Sequence, residues 1–133
     1  MRIRSTRWAA LAVAAALSGP VAGCIAAAAA GAAGAVYATS RGAEALVSGS
    51  VEEVAARAQT VMKDMSIAPS GEKTETARDK HELKGKQGDL DITIQMQRSD
   101  SATTKVEVYA RKNLAEWDKG YAREVLEKIV KAE

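Results

Sequence analysis

The chain has 133 residues, with 19 basic against 17 acidic side chains and a formal charge of +2, which leaves room for one modest domain. Three of the basic residues, Arg2, Arg4 and Arg7, precede the first apolar run; beyond them 16 basic face 17 acidic side chains, a near-neutral balance that gives no counterion-release drive toward nucleic acid. A single cysteine, Cys24, no phenylalanine, and only Trp117, Tyr37, Tyr109 and Tyr121 as aromatics after it exclude a disulfide framework and a thiolate zinc site, and leave little for an aromatic binding platform.

The basic stretch Met1 to Arg7 leads into Trp8 to Leu17, an uncharged run of signal-peptide length, too short to span a bilayer alone. Ser18, Gly19 and Pro20 break it, and Val21-Ala22-Gly23-Cys24 follows. This tetrapeptide resembles the lipobox of bacterial lipoproteins. The resemblance implies a thioether-linked diacylglyceryl group on Cys24, cleavage between Gly23 and Cys24, and acylation of the new amino group with a fatty acid such as palmitate. It makes residues 1–23 a lipoprotein signal peptide. Two or three acyl chains would anchor stably, where one attaches only reversibly. Ile25 stands where an aspartate retains many lipoproteins in the inner membrane, so similarity to that sorting rule implies the outer membrane, facing the periplasm. An ordinary secretory signal is the plainer alternative, and an uncleaved membrane helix running on through Ile25 to Ala38 is another, since residues 8–40 are uncharged.

Residues 24–43 form an Ala/Gly-rich tract, read as a tether because so little side chain cannot specify a packed fold. The competing reading is a membrane-inserted helix whose small face, with Gly31 and Gly34, admits a close neighbour.

The domain is expected over 44–133. Glu44 to Ser48 suits a first strand. Ser50 and Glu53 have capping-box spacing, and Val54, Ala58, Val61, Met62 and Met65 then make one apolar stripe, predicting an amphipathic helix ended before Pro69-Ser70-Gly71. Glu72 to Lys86 is polar, thinly punctuated by Ala77, His81 and Leu83, and predicts two short edge-like strands or a strand and a loop. After the turn at Gln87-Gly88-Asp89, Leu90, Ile92, Ile94 and Met96 alternate with Asp91, Thr93, Gln95 and Gln97, a strand with one buried and one wet face. Ser99 to Ala102 is a turn, and Thr104, Val106 and Val108 alternate with Lys105, Glu107 and Tyr109 in its hairpin partner. Asp118 to Lys131 carries Tyr121, Val125 and Ile129 beside Ala122, Leu126 and Val130, a second amphipathic helix. The order predicts an α+β fold, a small antiparallel β-sheet with two helices on one face.

Taken together, Gly23-Cys24, the Ala/Gly tract ending near Tyr37, the helix capped at Ser50, the hairpin of Ile92 and Val106 and the closing Leu126-Glu127-Lys128-Ile129 are similar to a family of short bacterial lipoproteins described as a domain of unknown function. That likeness implies fold and location and supplies no activity.

Candidate chemistry is sparse. His81 lies near Asp79 and Glu82, but a zinc site needs three or four converging ligands. Glu72, Glu75, Asp79 and Glu82 interleaved with Lys73, Arg78, Lys80 and Lys84 read as a solvated surface. Ser48, Ser50 and Ser70 lack a base, and Trp117 reads as core or edge packing. No enzyme, metal or cofactor is expected. Three functions remain: an envelope interaction module working through the open sheet face (Asp91, Thr93, Gln95, Gln97, Lys105, Glu107) or an edge strand; a structural lipoprotein with an inserted Ala/Gly helix; and a periplasmic domain binding a small ligand or lipid between helices and sheet.

Overall fold

A computed structural model describes residues 34–132. The signal peptide, Gly23, Cys24 and the tract as far as residue 33 lie outside the described residues. Six strands form one antiparallel sheet: β1 (Tyr37–Ala38), β2 (Gly42–Ser48), β3 (Ala68–Glu75), β4 (Lys80–Gln87), β5 (Leu90–Arg98) and β6 (Thr103–Arg111), in the order β1-β2-β6-β5-β4-β3. Helices α1 (Val51–Asp64) and α2 (Lys119–Lys131) cover one face, which is the expected α+β fold. Among the described residues no helix is long and apolar enough to cross a membrane.

Alternation decides which face is covered. Ala43, Ala45 and Val47 of β2, Ile92, Ile94 and Met96 of β5, and Val106, Val108 and Ala110 of β6 are buried because successive side chains of a strand point to opposite sides. Against them pack Val54, Ala58, Val61 and Met62 of α1 and Ala122, Val125, Leu126 and Ile129 of α2. Thr104 is the one buried polar side chain of the described core, and its hydroxyl donates to the Gly49 carbonyl at 2.9 Å, which ties the β2–α1 connection to β6.

The capping box forms as its spacing predicts: the Ser50 hydroxyl accepts from the Glu53 N–H at 3.2 Å while the Glu53 carboxylate accepts from the Ser50 N–H at 2.8 Å. The other end closes earlier than Pro69. Ser66, at φ 57, donates its N–H to the Lys63 carbonyl, and Ile67 donates to Met62. These two bonds make a Schellman motif with serine at the left-handed position. Pro69 to Gly71 therefore belong to a strand, β3, with a register shift between Pro69 and Gly71.

Two boundaries differ from the sequence reading. The polar stretch forms two eight-residue strands, and β4 is interior, paired on both sides; β3 alone is the long edge. The sheet also starts before residue 44. Gly34 donates its N–H to the Leu46 carbonyl at 3.1 Å, β1 pairs with Ala43 and Glu44, and Ala43 is fully buried. Small residues are required here, since a Cβ on Gly42 would collide with the Val108 carbonyl and come within 3.2 Å of the Ala122 Cβ. The described part of the tract, 34–43, is packed against the domain.

Candidate functional site: the open face of the sheet

The face turned away from both helices consists of side-chain rows running across the strands. One row is Glu44, Glu107, Gln95, Glu82, Lys73; the next is Leu46, Lys105, Gln97, Lys80, Glu75. Neighbours in an antiparallel pair lie close enough for opposite charges to meet. Lys105 reaches Glu44 across the strands at 3.5 Å, while residues two apart on one strand share a face and pair along it: Lys105 with Glu107 at 2.8 Å, Lys84 with Glu82 at 3.2 Å and Lys73 with Glu75 at 2.8 Å. Burial disfavours the charged Glu107, yet hydrogen bonds from Lys105 and Tyr109 outweigh it and hold this carboxyl below its ordinary range. Asp91, Thr93, Gln95, Gln97, Lys105 and Glu107 all lie on this one face, as the alternation of β5 and β6 requires.

A third row, Gly42, Tyr109, Thr93, Lys84, Gly71, has no large side chain at either end. A concavity of about 300 Å³ opens beside it, walled by Arg41, Arg111, Trp117 and Tyr109, with Thr93 and Gln95 toward the sheet. Trp117 is set there by an antiparallel bridge to Arg111, and the turn between them is tied by Asn113, whose side-chain oxygen accepts from the N–H groups of Ala115 and Glu116. The Tyr109 and Trp117 rings meet edge to face at 6.2 Å, and the Arg41 guanidinium stands 5.9 Å from the Trp117 ring centre, within cation–π range. The Tyr109 hydroxyl donates to Glu107 at 2.9 Å; burial and this bond push its pKa up to about 12. Trp117 is half-buried at the edge of the open face, and its grouping with Tyr109 and Arg41 was not visible in the sequence. The three come from separate segments, united by the register of β2 and β6 and by the bridge that folds Trp117 back onto Arg111.

His81 sits on the helix side of β4, across from Met96 and Thr74. Its Nε2 lies 2.7 Å from Glu72 Oε1 and its Nδ1 3.3 Å from the Thr74 hydroxyl. Its partners thus come from β3, while Glu82 faces the other way, held by Gln95 at 2.8 Å. Alternation splits the mixed-charge run 72–84 between two faces. Among the described residues no group of three or more histidine, cysteine or acidic side chains is placed to hold a metal. Ser50 is committed to its cap.

A second concavity, about 800 Å³, lies between the C-terminal half of α1 and strands β3 and β4, where Met62, Ile67, Pro69, Gly71 and Leu83 meet Gln59. It exists because β3 extends past the helix layer with every residue from Ala68 to Thr74 exposed.

Compared with protein-family models, curated proteins and solved structures, the chain matches none.

Proposed function

We propose that the chain is a membrane-anchored bacterial lipoprotein whose domain is an envelope interaction module, anchored through lipid on Cys24 in the outer membrane, facing the periplasm. The anchor rests on the order basic start, apolar run, Val21-Ala22-Gly23-Cys24. The interaction role rests on one observation: helices seal one sheet face and leave the other an uncovered, ordered array of polar rows ending in the Arg41, Trp117 and Tyr109 group. Backbone direction supports this use. Gly34, the first described residue, lies at the level of Leu46, five residues or about 16 Å along β2 from Arg41 at a strand rise of ~3.3 Å, so the Arg41 end lies away from it. No enzymatic step is proposed.

Two measurements test the proposal. The intact mass of membrane-purified protein is expected to correspond to a chain beginning at Cys24 with acyl mass added, and a Cys24→Ser variant to lack both; a wild-type mass retaining residues 1–23 unmodified would defeat the anchor. A photo-crosslinker at Gln97, exposed on the open face, is expected to trap an envelope protein in intact cells where one at Lys128, on the outer side of α2, does not. Equal trapping from both positions would remove the open face from consideration.

The apolar concavity beside α1 favours a second reading, a domain that takes up a small apolar ligand or lipid. A saturable rise in melting temperature with fatty acids, lost in Leu83→Lys, would support it; a flat response would sink it.

A further inference from the structure

The cations of the open face mostly have carboxylate partners. Lys73, Lys84, Lys86 and Lys105 each lie within 3.5 Å of one. Lys80, Arg41 and Arg111 have no carboxylate within 4 Å among the described residues, and of these the two arginines border the same concavity. The acidic groups there are engaged elsewhere, Glu82 with Lys84 and Gln95, and Asp91 with Lys86 at 3.4 Å. Asp91 stands opposite Arg111 in the β5–β6 register but is drawn to Lys86, and the lining as a whole sets Arg41, Lys84 and Arg111 against Glu82 and Asp91, three cations to two carboxylates and a balance of +1 among the described residues.

Arg41 is also held in place. Its guanidinium lies against Trp117, Trp117 against Tyr109, and the Tyr109 hydroxyl on Glu107. Such a chain of contacts reduces the ordering cost when a ligand is gripped. A planar guanidinium presents paired N–H donors matched to the two oxygens of a carboxylate or phosphate. Thr93 and Gln95 add neutral hydrogen-bonding groups at the floor, and about 300 Å³ suits a group of monosaccharide size. Glu82 and Asp91 also line the concavity and disfavour further negative charge there, which selects a single oxyanion over a polyanion.

We infer that the concavity bounded by Arg41, Arg111, Trp117 and Tyr109 is a binding site for one oxyanion, a carboxylate or a phosphate, carried on a small polar body. The inference rests on reading the open face as the contact surface and adds the chemistry recognised there.

The test is a titration of the full chain, purified in nonionic detergent, with sodium phosphate and separately with sodium acetate at constant ionic strength. The indole N–H resonance of Trp117, assigned by Trp117→Phe, reports binding. A saturable shift is expected, with the tighter of the two salts identifying the oxyanion. Arg41→Gln and Arg111→Gln should each raise the half-saturation concentration at least tenfold, and Lys128→Gln should leave it unchanged. Melting curves establish that each variant is folded. A shift linear in both salts, or equal weakening by Lys128→Gln, overturns the site. If Gln97 still crosslinks to an envelope protein while no oxyanion binds, this inference fails alone; loss of both removes the open-face reading as well.

Discussion

At the residue scale three side chains carry measurable consequences. Ser66 occupies the left-handed position that closes α1, where an L side chain is strained and glycine is not. Ser66→Gly should stabilise the fold by about 0.5–1 kcal/mol, after the added unfolded-state freedom is deducted, as read from urea midpoints. The Tyr121 hydroxyl is buried without a hydrogen-bond partner among the described residues. A buried unsatisfied donor costs about 1–3 kcal/mol, so Tyr121→Phe should be neutral or stabilising; a loss above ~1 kcal/mol would show that the hydroxyl is bonded after all. Tyr109 titrates near 12 in the fold against an ordinary value of 10.0, first from burial and then from its bond to Glu107. A raised folded value stabilises fully below pH 10 and is lost as pH climbs through about 12. Melting temperature should therefore fall more steeply between those values in the wild type than in Tyr109→Phe.

At the element scale, closeness of helix to sheet depends on Gly85. A Cβ there would lie 2.5 Å from Ile67 Cγ2 and 2.6 Å from Met62 Cε, so Gly85→Ala must displace Ile67, just beyond the end of α1, while the flexible Met62 tip can swing aside. The expected loss is about 1–3 kcal/mol, read by denaturant unfolding; an unchanged midpoint would mean that the helix end yields freely. The elements legible in the sequence are those in which burial writes a period. β5 and β6 alternate because one face is dry, both helices show a 3.6-residue stripe, and Ser50 with Glu53 announces a cap. Strand β3 writes none. Its residues Ala68 to Thr74 are exposed and it is held to β4 chiefly by backbone bonds, which any sequence can make, so composition suggested only a turn and a polar stretch. The Arg41, Trp117 and Tyr109 cluster was illegible for a different reason, since it is assembled by register between distant segments.

At the scale of the whole molecule, the domain reaches back at least to Gly34, ten residues before the start its sequence suggests. Alanine and glycine look like linker composition, yet Gly42 and Ala43 are small because β6 and α2 crowd them. A protein shortened to begin at Glu44 loses β1, the buried Ala43 and the bonds of Gly42. It should unfold at lower urea, by roughly 2 kcal/mol or more for the lost burial and pairing, whereas one beginning at Gly34 should match the full chain; equal stability of the two would return 34–43 to the tether. The Gly34 bond to Leu46 has a mechanical consequence as well. A pull applied at Gly34 loads its bond to Leu46 and then the two-residue β1, opening their few bonds one at a time like a zip. The seven-residue ladder between β2 and β6 comes under load only afterwards. The short strand thus acts as a shock absorber, and stretching a single molecule from its N-terminal side should show a small early extension before the body of the fold gives way.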